Sequence, residues 1–173
     1  LQLVTVEDLR KYADYCLHNA FDNGPYMLQD VVNEFGRRLN FEVINGEYSG
    51  SRNPKVIGFD GIWKLPTEES IVVEVKTTDA YSINLQTIDD YRLKLIGNEE
   101  INSDSTNLII VGRFETDSWE SQVRGSKYNW NTRIVGIEAL SKMALINLES
   151  QSPDVLNQIR NILRPVEYTR VDG

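Results

Sequence analysis

Cysteine and histidine are almost missing from this chain of 173 residues, which has one of each, Cys16 and His18. A lone thiol can form neither an internal disulfide nor a multi-thiolate metal site. A reducing compartment, the cytoplasm, is therefore the expected location. Long apolar runs are also lacking. None approaches the ~20 residues that span a bilayer, and the N-terminus has neither the basic region nor the apolar stretch of a signal peptide. The expectation is a soluble protein with no membrane partner. Composition further excludes collagen-like repeats, disorder and coiled coil, since 40% of residues are apolar and 25% charged. Such a length suits one globular domain covering 1–173. Starting at Leu1 rather than Met, and ending without a cap signal, it reads as a domain cut from a longer multidomain protein.

Positive charge is in deficit as well. The net charge is −8, and a negative chain repels nucleic acid unless its charge is unevenly spread. It is unevenly spread: residues 1–35 carry −4 and 65–112 carry −6, whereas 36–64 carry +2 and 113–133 carry +1. A polyanionic partner would have to use those two basic stretches.

Apolar periodicity predicts a helix over 5–20, capped by Thr5, and a second over 26–39 after the break at Asn23-Gly24-Pro25. Three strands follow, Phe41–Tyr48, Lys55–Trp63 and Ser70–Thr77, spaced as an antiparallel meander. A helix over 83–96, a buried strand over Asn107–Arg113, an irregular segment, a strand over Thr132–Ile137 and helices over 138–149 and 153–163 complete the pattern. The expected fold class is α/β, a central mixed sheet flanked by helices.

Two of those strands carry the chemistry. Gly58-Phe59-Asp60-Gly61-Ile62-Trp63 places a carboxylate in an apolar, glycine-flanked run, and Ile71-Val72-Val73-Glu74-Val75-Lys76 places a carboxylate and an ammonium two positions apart. Side chains alternate along a strand, so Glu74 and Lys76 share one face while Val73 and Val75 fill the other. Charges inside apolar strands need partners or a metal, and Asp60 is the neighbour. Two converging carboxylates make a hard oxygen site suited to Mg²⁺. A lysine beside it can offset charge, orient an attacking water or stabilise a developing phosphorane. The bland alternative is a same-face ion pair on a solvated strand with Asp60 in a turn.

Asp60, a gap of thirteen residues, and Glu74-Val75-Lys76 on consecutive strands resemble the PD-(D/E)XK nuclease superfamily, the restriction-endonuclease-like fold. Its core of helix, three-strand meander, helix and strand matches the order over 26–113. Phe59 stands where the family usually has proline before the first aspartate. The resemblance implies a metal-dependent DNA endonuclease of restriction or defence type, hydrolysing phosphodiester bonds directly with Mg²⁺, or Mn²⁺ as a substitute. It assigns Asp60, Glu74 and the Val75 backbone carbonyl to the metal, Lys76 to the water, and Glu34, on the helix before the meander, to the metal shell. Gln86 and Tyr91 match a glutamine and tyrosine that some members carry on the following helix.

Other residues leave two readings open. Arg52 and Lys55, beside the loop before Asp60, and Thr77, just past Lys76, are candidate DNA contacts or ordinary loop and strand-end residues. Arg37 and Arg38 suit either phosphate or their own helix C-terminus. Arg124 and Lys127 lie in Val123–Asn131, which mixes cations and aromatics as backbone-tracking loops do, or forms a surface loop anchored by Trp130. The alternative to a nuclease is a non-catalytic DNA-binding or assembly module keeping the fold. In either case a fused or partner domain is expected to supply recognition, and double-strand cleavage would favour a homodimer.

Overall fold

A computed structural model describes residues 1, 3–48, 56–77, 83–112 and 116–165. Helices α1 (Val6–His18) and α2 (Gly24–Arg38) precede strands β1 (Glu42–Asn45), β2 (Gly61–Lys64) and β3 (Ser70–Lys76). After them come α3 (Leu85–Gly97), β4 (Thr106–Val111), α4 (Asp117–Arg124), β5 (Thr132–Gly136), α5 (Ile137–Ser150) and α6 (Pro153–Leu163). No helix among the described residues is long and apolar enough to cross a membrane.

The strands pair in sequence order as one sheet of five. β1, β2 and β3 form the antiparallel meander, and β4 and β5 add in parallel through helical crossovers. Strand alternation then builds two cores. Ile71, Val73, Leu108 and Ile110 face α1, α2, α5 and α6, while Val72, Ile109 and Val111 face α3 and α4.

Helix α1 starts as its sequence dictates, with Thr5 Oγ1 accepting from Asp8 N at 3.1 Å. α2 begins two residues earlier than the apolar stripe suggests, because Pro25 in the first turn needs no N–H. It packs tightly on the sheet at Gly36, where an added Cβ would sit 2.5 Å from the ring of Trp63. Trp63 is fully buried and has nowhere to go. Gly36→Ala is expected to destabilise the protein by about 1–3 kcal/mol, read as a lower thermal midpoint.

Three further elements differ from the expectation, the first being β1, which covers Glu42–Asn45 rather than the whole of 41–48. Residues 117–124 form α4 where an irregular segment was expected, since only Trp119 and Val123 are buried and two apolar positions make no visible stripe. β2 begins at Gly61, later than expected, although Asp60 N still donates to Val73 O and the Asp60 carbonyl accepts from Gly46 N, each at 3.0 Å. There Val75 N donates to the Asp60 carboxylate at 2.7 Å, a side-chain oxygen serving where a strand carbonyl would. The pairing with β3 is thus irregular at Asp60, where the backbone of Val73 and Val75 meets both its N–H and its side chain.

Candidate active site

The carboxylate of Asp60 is placed by α2 as well as by the sheet. Gln29 Nε2 donates to Asp60 Oδ1 at 2.6 Å, and Asn33 Nδ2 donates to the Asp60 carbonyl at 2.9 Å. Gln29 and Asn33 are four residues apart on one helix face, so a pair of amides holds both the side chain and the backbone of Asp60. Asn33 in turn accepts from Trp63 Nε1 at 2.9 Å. It comes so close to the strand that a Cβ on residue 61 would lie 2.2 Å from its Oδ1, which is why Gly61 follows Asp60.

Across the gap, Glu74 and Lys76 project from the same face of β3, with Lys76 Nζ 2.6 Å from Glu74 Oε1. The other oxygen, Glu74 Oε2, is buried with no hydrogen-bond partner. Burial, then the charge of Glu74, push the Asp60 carboxyl up to about 8, against the opposing pull of the Val75 N–H and Lys76. Burial likewise raises Glu74, opposed by Lys76. Burial alone would lower Lys76, but the charge and hydrogen bond of Glu74, with Asp60 behind it, raise it, so it is an ammonium at neutral pH.

These groups line a cleft of about 340 Å³ with Tyr26, Gln29, Glu47 and Tyr48 on one side and Asn84, Thr87, Ile88 and Tyr91 of the α3 segment on the other. Two mutually repelling carboxylates, one bearing an orphaned buried oxygen, are a donor set that a hard divalent cation fits. Among the described residues no group of three or more His, Cys, Asp or Glu side chains forms. A cation here would draw on Asp60 and Glu74, with the Val75 carbonyl as the backbone candidate.

The structure does not bring Glu34 to this cleft. Its carboxylate is buried against Arg38 Nε at 3.0 Å and Arg37 at 3.6 Å, and Arg38 NH2 also donates to the carbonyl of Val4 at 2.8 Å. One step beyond Asn33, it is rotated about 100° away and ties α2 to the N-terminal segment. Gln29 is the α2 residue that reaches Asp60. The sequence signal for it is a pair of amides at i, i+4 on one helix, but an uncharged amide does not announce itself as a site residue.

Of the DNA-contact candidates, Tyr91 lines the cleft, whereas Gln86 is exposed on α3 and absent from its lining. Thr77 is half-buried just past β3. Arg52 and Lys55 lie outside the described residues. Arg124 and Lys127 are exposed at the end of α4 beside β5, which is separated from β3 by β4, and Lys127 Nζ lies 5.1 Å from the Tyr128 ring centroid. Trp130 is 54% exposed and does not anchor its loop; Asn131 does, donating to Asp89 Oδ1 at 3.3 Å.

No family model matches the chain, and no curated protein matches it significantly. Among solved structures it superposes on the small subunit of the heterodimeric restriction endonuclease R.BspD6I with a TM-score of 0.55, over 88% of this chain and 86% of that one. The fold is restriction-endonuclease-like. Identity across the match is 14%, so the likeness is one of architecture, and the reading of the cleft rests on its own residues.

Proposed function

We propose that this chain belongs to the PD-(D/E)XK superfamily and is a Mg²⁺-dependent endodeoxyribonuclease domain of restriction type. The observation that carries this reading is the convergence of Asp60 with Glu74 and Lys76 in one cleft, a carboxylate just before β2 beside a carboxylate and an ammonium of β3. Asp60, Glu74 and the Val75 carbonyl would hold the cation. When bound, Mg²⁺ supplies Lewis-acid polarisation of the phosphoryl group and acidifies a water.

The chain's own residues do the rest. Gln29 and the Val75 N–H fix the Asp60 carboxylate at 2.6 and 2.7 Å, so it needs little rearrangement as the reaction proceeds. Lys76, kept cationic by Glu74, donates to the attacking water or to a non-bridging phosphate oxygen and stabilises the negative charge that builds there. No side chain need bond covalently to phosphorus: the water oxygen forms the new P–O bond as the bond to the leaving oxygen breaks, the water's proton passing to solvent and the leaving oxygen taking one up from it.

Recognition is assigned to another domain or subunit. The cleft lining holds Glu47, Asp60 and Glu74 against one described cation, Lys76, and the chain as a whole carries −8. That same charge favours the second reading, a module that keeps the fold without cutting. Incubation with supercoiled plasmid separates the two. Nicking or linearisation with Mg²⁺ or Mn²⁺, abolished by EDTA, is the expected result. If the chain binds neither cation, the non-catalytic reading replaces this one.

A further inference from the structure

Three tyrosines stand among the residues that line the cleft. Tyr26, at the start of α2, and Tyr48, past the end of β1, stack with centroids 4.9 Å apart and planes tilted by 47°. Both line the cleft that holds Asp60, Glu74 and Lys76, and Tyr91 enters from α3. Tyr48 is 46% exposed, yet it is not loose. Its hydroxyl donates to Asp30, 2.6 and 2.7 Å from the two carboxylate oxygens. Asp30 is itself held by Asn45 Nδ2 at 3.3 Å, and Asn45 by Arg37 at 2.6 Å. A large apolar ring is thus fixed at the edge of a polar cleft by a chain of hydrogen bonds that runs through α2 and β1.

Such an arrangement is informative about substrate form. Duplex trackers present rows of Lys and Arg to phosphates, and duplex readers present amides and guanidinium groups to base edges. This lining presents three tyrosine rings, and its single described cation is paired with Glu74. A ring face has nothing to meet in a stacked duplex, where the base faces cover one another. It has a partner once a base is unstacked, because every base has a π-face that an aromatic side chain can cover.

Resting on the nuclease reading above, we infer that the cleft takes a nucleotide whose base is out of the duplex stack, with the Tyr26–Tyr48 pair as the platform for that base. The substrate class is DNA with a base unpaired near the cleaved phosphate, as supercoiled plasmid exposes locally and a single strand exposes throughout.

The test is equilibrium binding of oligonucleotides carrying the fluorescent base 2-aminopurine, with Ca²⁺ replacing Mg²⁺, to the unmodified protein and to Tyr26→Ala, Tyr48→Ala and Tyr48→Trp. Three probes are compared: a single strand, a duplex with a short unpaired stretch, and a perfect duplex. The first two are expected to bind with quenched fluorescence, the perfect duplex about tenfold or more weaker, and either alanine variant to lose about tenfold on the unpaired probes. Tyr48→Trp should retain binding, and thermal midpoints should show that all variants fold. Equal binding of all three probes, unaffected by the tyrosine variants, would overturn the inference, as would failure to bind any probe. Cleavage is scored separately with Mg²⁺. Cutting of perfect duplex as fast as single strand, unchanged in the tyrosine variants, overturns the platform and leaves the nuclease. Stacking without cleavage of any probe overturns the nuclease and leaves the platform.

Discussion

Replacing Lys76 with alanine is expected to lower metal-dependent cleavage by a factor of about 10² to 10³, the loss typical when one preorganised stabiliser of developing charge is removed. The reason is positional. Lys76 is the one described cation of the cleft, 2.6 Å from Glu74 and raised in pKa by Glu74 and Asp60, so no other described lining residue brings positive charge to a phosphate there. Its removal also leaves two carboxylates facing each other without a counter-charge, which weakens the metal-free fold at alkaline pH. Lys76→Met, which keeps the aliphatic stem, separates packing from charge. Both variants should lose cleavage, while their circular dichroism in Mg²⁺ should match the unmodified protein. Cleavage at unchanged rate in either would remove Lys76 from the mechanism.

The second large effect is on stability, and its sign is opposite to that of most buried substitutions. Asp60 titrates near 8 in the folded protein against 3.8 for the free group, because burial and Glu74 disfavour its charge. A carboxyl raised on folding contributes stability fully below its unfolded pKa, and that contribution is lost as pH rises through the folded pKa. Without metal, the protein should therefore weaken between about pH 4 and pH 8 on account of this group. Asp60→Asn removes the charge and keeps the shape, and the Gln29 amide can turn to accept from the new donor. In EDTA at pH 8 the variant should be more stable by on the order of 2 kcal/mol, a thermal midpoint higher by roughly 5 °C. At pH 5 the difference should shrink. Added Mg²⁺ should raise the midpoint of the unmodified protein at pH 8 and leave the variant where it was. A variant less stable than its parent at both pH values would contradict the placement of Asp60. The same cleavage assay should find it inactive, since one of two proposed carboxylate ligands is gone.

What the sequence reveals about this site depends on which rule governs each residue. The shared face of Glu74 and Lys76 follows from strand alternation alone, and Val73 in the opposite core confirms it. Asp60 was legible as a charge in an apolar run. Helical positions were harder. Glu34 is the glutamate of α2, yet a shift of one residue along a helix turns a side chain by about 100°, and its charge is spent on Arg37 and Arg38. Gln29, Asn33 and Tyr48 are neutral, and their roles emerge only once α2 is laid across the edge of β2. The late start of β2 was hidden for a related reason. Ile57, Gly58 and Phe59 look like strand, but Asp60 takes a backbone N–H that a strand carbonyl would otherwise accept.

Everything functional in this account rests on the Asp60–Glu74 pair being a divalent-cation site. Titration of Mn²⁺ followed by electron paramagnetic resonance at pH 7.5, without DNA, addresses it directly, because bound and free Mn²⁺ give different signals. The protein should bind Mn²⁺ displaceably by Mg²⁺, and Asp60→Asn and Glu74→Gln should each abolish that binding while remaining folded. No binding by the unmodified protein, or binding that survives both substitutions, would contradict the site.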